Sequence, residues 1–313
     1  MRIVMQITAI LISSVASLAL AGEFGDHCTT SLSSEQMMKT DCSINSSFEG
    51  KTYCFGNEEA KSMFMKNPEE TIQKAKAFYA KNAEAAREKL SQQQAMAIVK
   101  SPNCDLSDKD VGYLDFKGMD LRHCKMVNTS FFGAYLIGAN LSGTDMRRAY
   151  LNLARLENAN LSGANLADAT IFQAIFDKTN FSGANLTNAR VIGTLGKVDM
   201  SNATIKNGRF GLDIGNQPMG QMKFDSVGGN FANADFEGAD LNIASFAFGD
   251  LTGANLRNTN LHRADLSRAN LSGADLTGAD LSEAEVDGAI FTKAKGLDKV
   301  KGMETVKGKC KGC

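Results

Sequence analysis

A five-residue word, repeated along most of the chain, limits what this sequence can fold into more than any other feature. Ala264 to Asp280 reads ADLSRANLSGADLTGAD. With the Leu of each word as its centre, one register runs unbroken from Phe231 through Phe236, Leu241 and Phe246 to Leu281, Val286 and Phe291. A second block in the same phase runs from Leu106 through Val111, Phe116 and Leu121 to Phe181, Leu186 and Val191. Two residues before each centre sits something small, such as Ala134, Ala154, Ala234 or Gly249. Helices repeat their faces every 3.6 residues and strands every 2, so neither accommodates a period of five. The chain must turn a corner in every word, and a short fixed period of this kind marks a solenoid that buries each repeat against its neighbours.

The phase is lost at Gly196, resumes one residue early at Met200, Ile205 and Phe210, and fails again. Gly211 to Gly229, with Pro218 and paired glycines, reads as a loop thrown out from a corner. The first words carry Lys109, Leu114 and Met119 in the small slot, as an end coil lying against a cap would tolerate.

The word A(D/N)LXX resembles that of the pentapeptide-repeat family over roughly two thirds of the chain. The resemblance implies a mainly β fold, a right-handed quadrilateral β-helix in which four words make one square coil of 20 residues. The centre and the small residue then point inward. Residues 20 apart become vertical neighbours, which places Cys104 and Cys124 in adjacent coils as either a disulfide or two stacked thiols. The strongly acidic, cytoplasmic members that mimic DNA are not a guide to this chain, whose 34 basic and 35 acidic residues leave a net charge of −1.

The solenoid is expected over 101–296, and what precedes it has a different composition. Met1 to Ala21, with Arg2, an apolar run from Ile7 to Leu20 and Ala19-Leu20-Ala21, reads as a secretory signal peptide. The protein is accordingly expected to be periplasmic or secreted, with no membrane span after cleavage and no nucleic-acid partner. Residues 22–100 read as a small α+β domain. A hairpin is expected around Phe48 to Phe55, then one long helix from Asn67-Pro68 to about Val99 that caps the first coil.

The run Gly50 to Pro68, GKTYCFGNEEAKSMFMKNP, resembles a YHS domain, a small metal-associated module. This chain has Gly56 and Ala60 where metal-binding members carry cysteines. Cys42 fits the family's early cysteine. Cys28, Cys42 and Cys54 with His27 are chemically able to form a soft N/S site for zinc or copper(I), or two of the thiols pair as a disulfide. The Lys-rich stretch 297–313 ends in Cys310-Lys311-Gly312-Cys313 and is expected to be a flexible tail carrying a local disulfide or a partner-facing thiol pair.

Nothing in the word can perform chemistry. The three histidines, His27, His123 and His262, stand in no Ser/Asp or metal-ligand spacing, so no catalytic residue and no cofactor is expected. The expectation is an exported, non-enzymatic binding or structural solenoid, with a metal-handling protein using the N-terminal thiols as the alternative. The 20-residue coil also puts Phe132, Tyr150, Leu153, Phe172 and Ile192 on one outer wall, with Tyr135, Ile137 and Ile175 on the next. Such a patch is expected to meet a protein partner or a second copy of the chain, unless another part of the same chain covers it.

Overall fold

The computed structural model describes residues 23–38, 40–82, 87–211 and 223–313. The signal-peptide stretch and most of the expected loop lie outside these residues. The chain divides into two compact units, one ending at Ala83 and one beginning at Glu84.

In the N-terminal unit, α1 (Thr29–Ser33) precedes an antiparallel hairpin of β1 (Ile44–Phe48) and β2 (Lys51–Phe55), in register Phe48↔Lys51. Its two-residue turn, Glu49-Gly50, has positive φ at both positions, the geometry whose twist matches that of the strands. α2 (Glu58–Lys66) starts where the Asn57 side chain accepts from the Ala60 amide, and α3 (Pro68–Asn82) follows. Phe24, Leu32, Tyr53, Phe55, Phe64, Ala75 and Tyr79 form this unit's own core.

The expected single helix is in fact two helices. α3 ends at Asn82, and a separate α4 (Gln92–Val99) belongs to the second unit. α4 opens on a capping box: Ser91 accepts from the Gln94 amide, and the Gln94 side chain returns to the Ser91 backbone. A helix start of this strength inside a run of good helix formers ends any continuous reading. Leu90 and Ala95 are buried in the solenoid core, and Met96, Ile98 and Val99 pack against it.

The second unit is a β-helix solenoid. Parallel bridges join residues 20 apart, from Asp105↔Lys125 and Asp110↔Ser130 onward, so each coil holds four words. Most rungs are single bridges. Only short pieces run on as strands, among them β3 (Glu88–Lys89) with β4 (Lys109–Asp110), and β5 (Thr170–Phe172), β6 (Arg190–Thr194) and β7 (Phe224–Asp225).

The word explains its own turn. The amide of the small residue donates to the carbonyl of the preceding centre, as Ala134 does to Phe131 at 2.9 Å. The residue two after the centre takes positive φ, as at Gly138, Asn158 and Leu153. A four-residue turn with φ > 0 at its third position is type II, which favours Gly or Asn there. The Asp or Asn before the centre accepts from the amide two residues on, as Asp275 does from Thr277 and Asn160 from Ser162. Every centre from Leu106 to Val191 and from Phe231 to Phe291 is buried, each contributing roughly 1.5–3 kcal/mol of gross stabilisation before chain entropy is subtracted.

Asn180 pairs with Asp199, only 19 residues on, and Asp199 pairs with Asn230, 31 residues on. One coil is a residue short and the next carries all the extra chain. The described part of the expected loop, from Lys223, is already solenoid: β7 pairs with β6, and Ser226 fills a centre slot, its hydroxyl donating to the Gly196 carbonyl at 2.9 Å.

The expected flexible tail is a further, wider coil. Asp280↔Lys301, Glu285↔Lys307 and Ile290↔Lys311 continue the ladder, and Leu297, Val300, Met303, Val306 and Cys310 pack against the core. An open last coil would leave a row of unpaired edge groups, and these residues cover it.

Candidate functional site

The outer wall singled out in the sequence takes shape between the first and fifth coils. Phe132 stacks on Tyr150 with ring centroids 6.2 Å apart, and the Tyr113 ring meets Phe132 edge-on at 5.4 Å. Room for Tyr113 comes from Gly133, where a Cβ would fall 2.7 Å from the tyrosine ring. The Arg87 guanidinium lies over Tyr150 at 5.8 Å and that of Arg190 over Phe172 at 5.6 Å. Arg87 is held in place by bonds from its side chain to the Asn128 carbonyl and side-chain oxygen.

Of the five residues expected on this wall, Leu153 is 42% exposed, and Phe132, Tyr150 and Phe172 are half-buried by one another and by the arginines. Ile192 does not belong: it is 1% exposed, because β6 makes no corner after it and runs straight on to pair with β7. On the adjoining wall Ile175 is 46% exposed, while Tyr135, beneath Lys117, and Ile137 are half-buried. Two contributors were missed in the sequence. Tyr113, 64% exposed, is 40 residues before Leu153 and so stands in its column, a signal the period itself carried. Arg87 precedes the repeats and had no such signal.

A cleft of about 430 Å³ lies beside β6, lined by Gln173, Ile175, Gly193, Thr194, Lys223 and Asp225 among others. One ammonium and one carboxylate stand in its lining, with no histidine, cysteine or serine beside them.

The cysteines are arranged as three disulfides: Cys42–Cys54, Cys104–Cys124 and Cys310–Cys313. Cys28 is a buried free thiol, and His27 directs Nδ1 to the Phe24 carbonyl at 2.8 Å. The N-terminal set His27, Cys28, Cys42 and Cys54 is therefore not gathered as metal ligands. Among the described residues, the group of three potential ligand atoms close enough to share an ion is instead Cys104, His123 and Cys124.

The repeats match the model of the family described as pentapeptide repeats, in eight copies over 115–207 and 228–295, just over half of the chain. HetL, a pentapeptide repeat protein involved in heterocyst differentiation regulation from the cyanobacterium Nostoc sp., is 26% identical over 68% of this chain and 90% of its own, at a TM-score of 0.38. QnrB1, a plasmid-mediated fluoroquinolone resistance protein, is 19% identical over 66% of this chain and 88% of its own, at 0.28. A pentapeptide repeat protein from the thylakoid lumen of Arabidopsis thaliana is 33% identical over 31% of this chain and 55% of its own, at 0.18. No curated protein matches the chain significantly. TM-scores below 0.5 carry no argument of fold, and it is the repeats, with their 20-residue ladder, that decide the relationship. The chain belongs to the pentapeptide-repeat family.

Proposed function

We propose that this chain is an exported, non-enzymatic scaffold that binds a protein partner through the aromatic wall of its early coils. The observation that carries this reading is the contiguity of Tyr113, Phe132, Tyr150, Leu153 and Phe172, partly exposed on one wall and flanked by Arg87 and Arg190. Tyrosine and arginine are over-represented at the energetic centres of protein interfaces, and a large apolar patch left on a surface marks such a site. Elsewhere the outward positions are mostly Ser, Thr, Asn, Gly or charged, which suits solvent and little else.

Export is supported by the signal-like Met1 to Ala21 and by three disulfides, which persist in oxidising compartments. The N-terminal unit enters this reading as an accessory YHS-like module whose Cys42–Cys54 bond staples it rather than holding metal. In the test, Phe132→Ser/Phe172→Ser is compared with the wild type by light scattering and by pull-down from a periplasmic or secreted fraction. Loss of self-association or of a captured partner, at an unchanged melting temperature, is the expected result. Full retention of both in the variant would sink the proposal.

A further inference from the structure

The first coil departs from the repeat at one backbone position. From Asp108 to Asn188, the residue two after each centre has positive φ at every word except one, and that one ends in His123. The turn is still closed, with the Cys124 amide donating to the Leu121 carbonyl at 2.9 Å. The different backbone leaves the exposed His123 with its Nε2 3.9 Å from Cys124 Sγ and 2.9 Å from the Val99 carbonyl at the end of α4. Cys104 and Cys124 are buried and joined, with Cα atoms 4.5 Å apart, and one ligand atom from each of the three residues lies within 4.8 Å of the others.

We propose that the Cys104–Cys124 pair, once reduced, binds a thiophilic d10 cation such as Zn2+ with His123 as third ligand, so that the same residues exist as a disulfide or as a metal site but not both. Zinc takes sulfur at about 2.3 Å and nitrogen at about 2.0 Å, which at tetrahedral angles separates the ligand atoms by roughly 3.5–3.8 Å. The Nε2–Sγ distance is already close to this, and breaking the disulfide moves the two sulfurs apart toward it.

The chemistry balances with a dithiol as reductant. It supplies two electrons and two protons to the Cys104–Cys124 bond and becomes a disulfide itself. Zn2+ binding then releases the two thiol protons, because only thiolates ligate. A carbonyl can only accept, so Nε2 carries the ring proton while it faces Val99. On ligation that proton moves to Nδ1 and the Val99 bond is exchanged for the metal. Two thiolates and one imidazole leave a fourth place for water on the exposed side, a Cys2His set with an open position. Loading the site thus also releases the end of α4 from the turn.

The test uses the full chain, reduced with tris(2-carboxyethyl)phosphine, desalted without oxygen and titrated with Co2+ as a probe for the zinc site. The variant C104A/C124A suits the coil, since most words carry Ala in that slot, and it corrects for the other four paired cysteines. The reduced wild type is expected to take up one more Co2+ than this variant, with a thiolate-to-cobalt charge-transfer band, and the oxidised wild type none at this site. His123→Ala is expected to weaken that extra equivalent by more than the roughly tenfold typical of losing an outer-shell partner. Equal Co2+ uptake by the reduced wild type and C104A/C124A, or undiminished affinity in His123→Ala, overturns the proposal.

Discussion

The Lys301 ammonium reaches the Asp280 carboxylate at 2.8 Å across the seam between the last regular coil and the wider coil that closes the rod, the two residues pairing at a spacing of 21 rather than 20. That bond is the largest of the influences holding the Asp280 carboxyl down to about 2, followed by the Ser282 hydroxyl and amide. A carboxyl whose folded pKa lies below its unfolded value of about 3.9 stabilises the fold above that value and loses the contribution as pH falls toward 2. Lys301→Met should therefore move the Asp280 titration upward, read directly from its side-chain carboxyl carbon by NMR. It should also make the closing coil fray at a higher pH than in the wild type. An unmoved titration would mean that the pair is not formed in solution.

The division of the expected helix into α3 and α4 changes what a truncation should do. Deleting residues 1–83 keeps Leu90, Ala95 and the Ser91 cap on the first coil, so the remaining rod should be monodisperse. Deleting residues 1–100 bares that coil and should give concentration-dependent oligomers through its open edge. Sedimentation of the two truncations decides the matter. Equal behaviour would show that α4 is not the cap.

Leu153 holds a left-handed φ of 59° where most words have Gly or Asn, and its side chain is exposed. A left-handed conformation costs a residue with a Cβ roughly 1–2 kcal/mol. Leu153→Gly should accordingly leave the melting temperature unchanged or raise it while weakening partner binding at the aromatic wall. A destabilised variant would place Leu153 in a contact it does not make here.

Inward positions should respond in the opposite way. Leu276 is fully buried among neighbouring coils, and Leu276→Ala should cost about 2–5 kcal/mol in denaturant melts. Ser226 is a subtler case, since its buried hydroxyl satisfies the Gly196 carbonyl where the short and long coils meet. Ser226→Ala leaves that acceptor without its donor and should cost about 1–3 kcal/mol. A Leu276→Ala variant as stable as the wild type would contradict the packing described above.

The words were legible because each contains the cause of its own turn. A small residue, a carboxylate or amide, a large centre and a Gly or Asn at the left-handed position act within five residues, so the register from Leu106 to Val191 and from Phe231 to Phe291 could be read directly. The one-residue slip before Met200 was visible for the same reason. The tertiary structure decided what depends on residues far apart. Asp199 had to find Asn230 across an excursion of chain before the coil could close, and Ser226 became a centre only because of that closure. The Lys-rich end looked like a tail because its spacing of 21 and 22 carries no five-residue signal, yet an open coil edge needs covering and the last residues supply it. Ile192 shared the alternation of the outer wall but lay on a strand that makes no corner, so its burial was set by pairing with β7 rather than by its own word. The meeting of His123 with Cys104 and Cys124 likewise depends on one turn that departs from the pattern, and a repeat read for its regularity does not announce its exceptions.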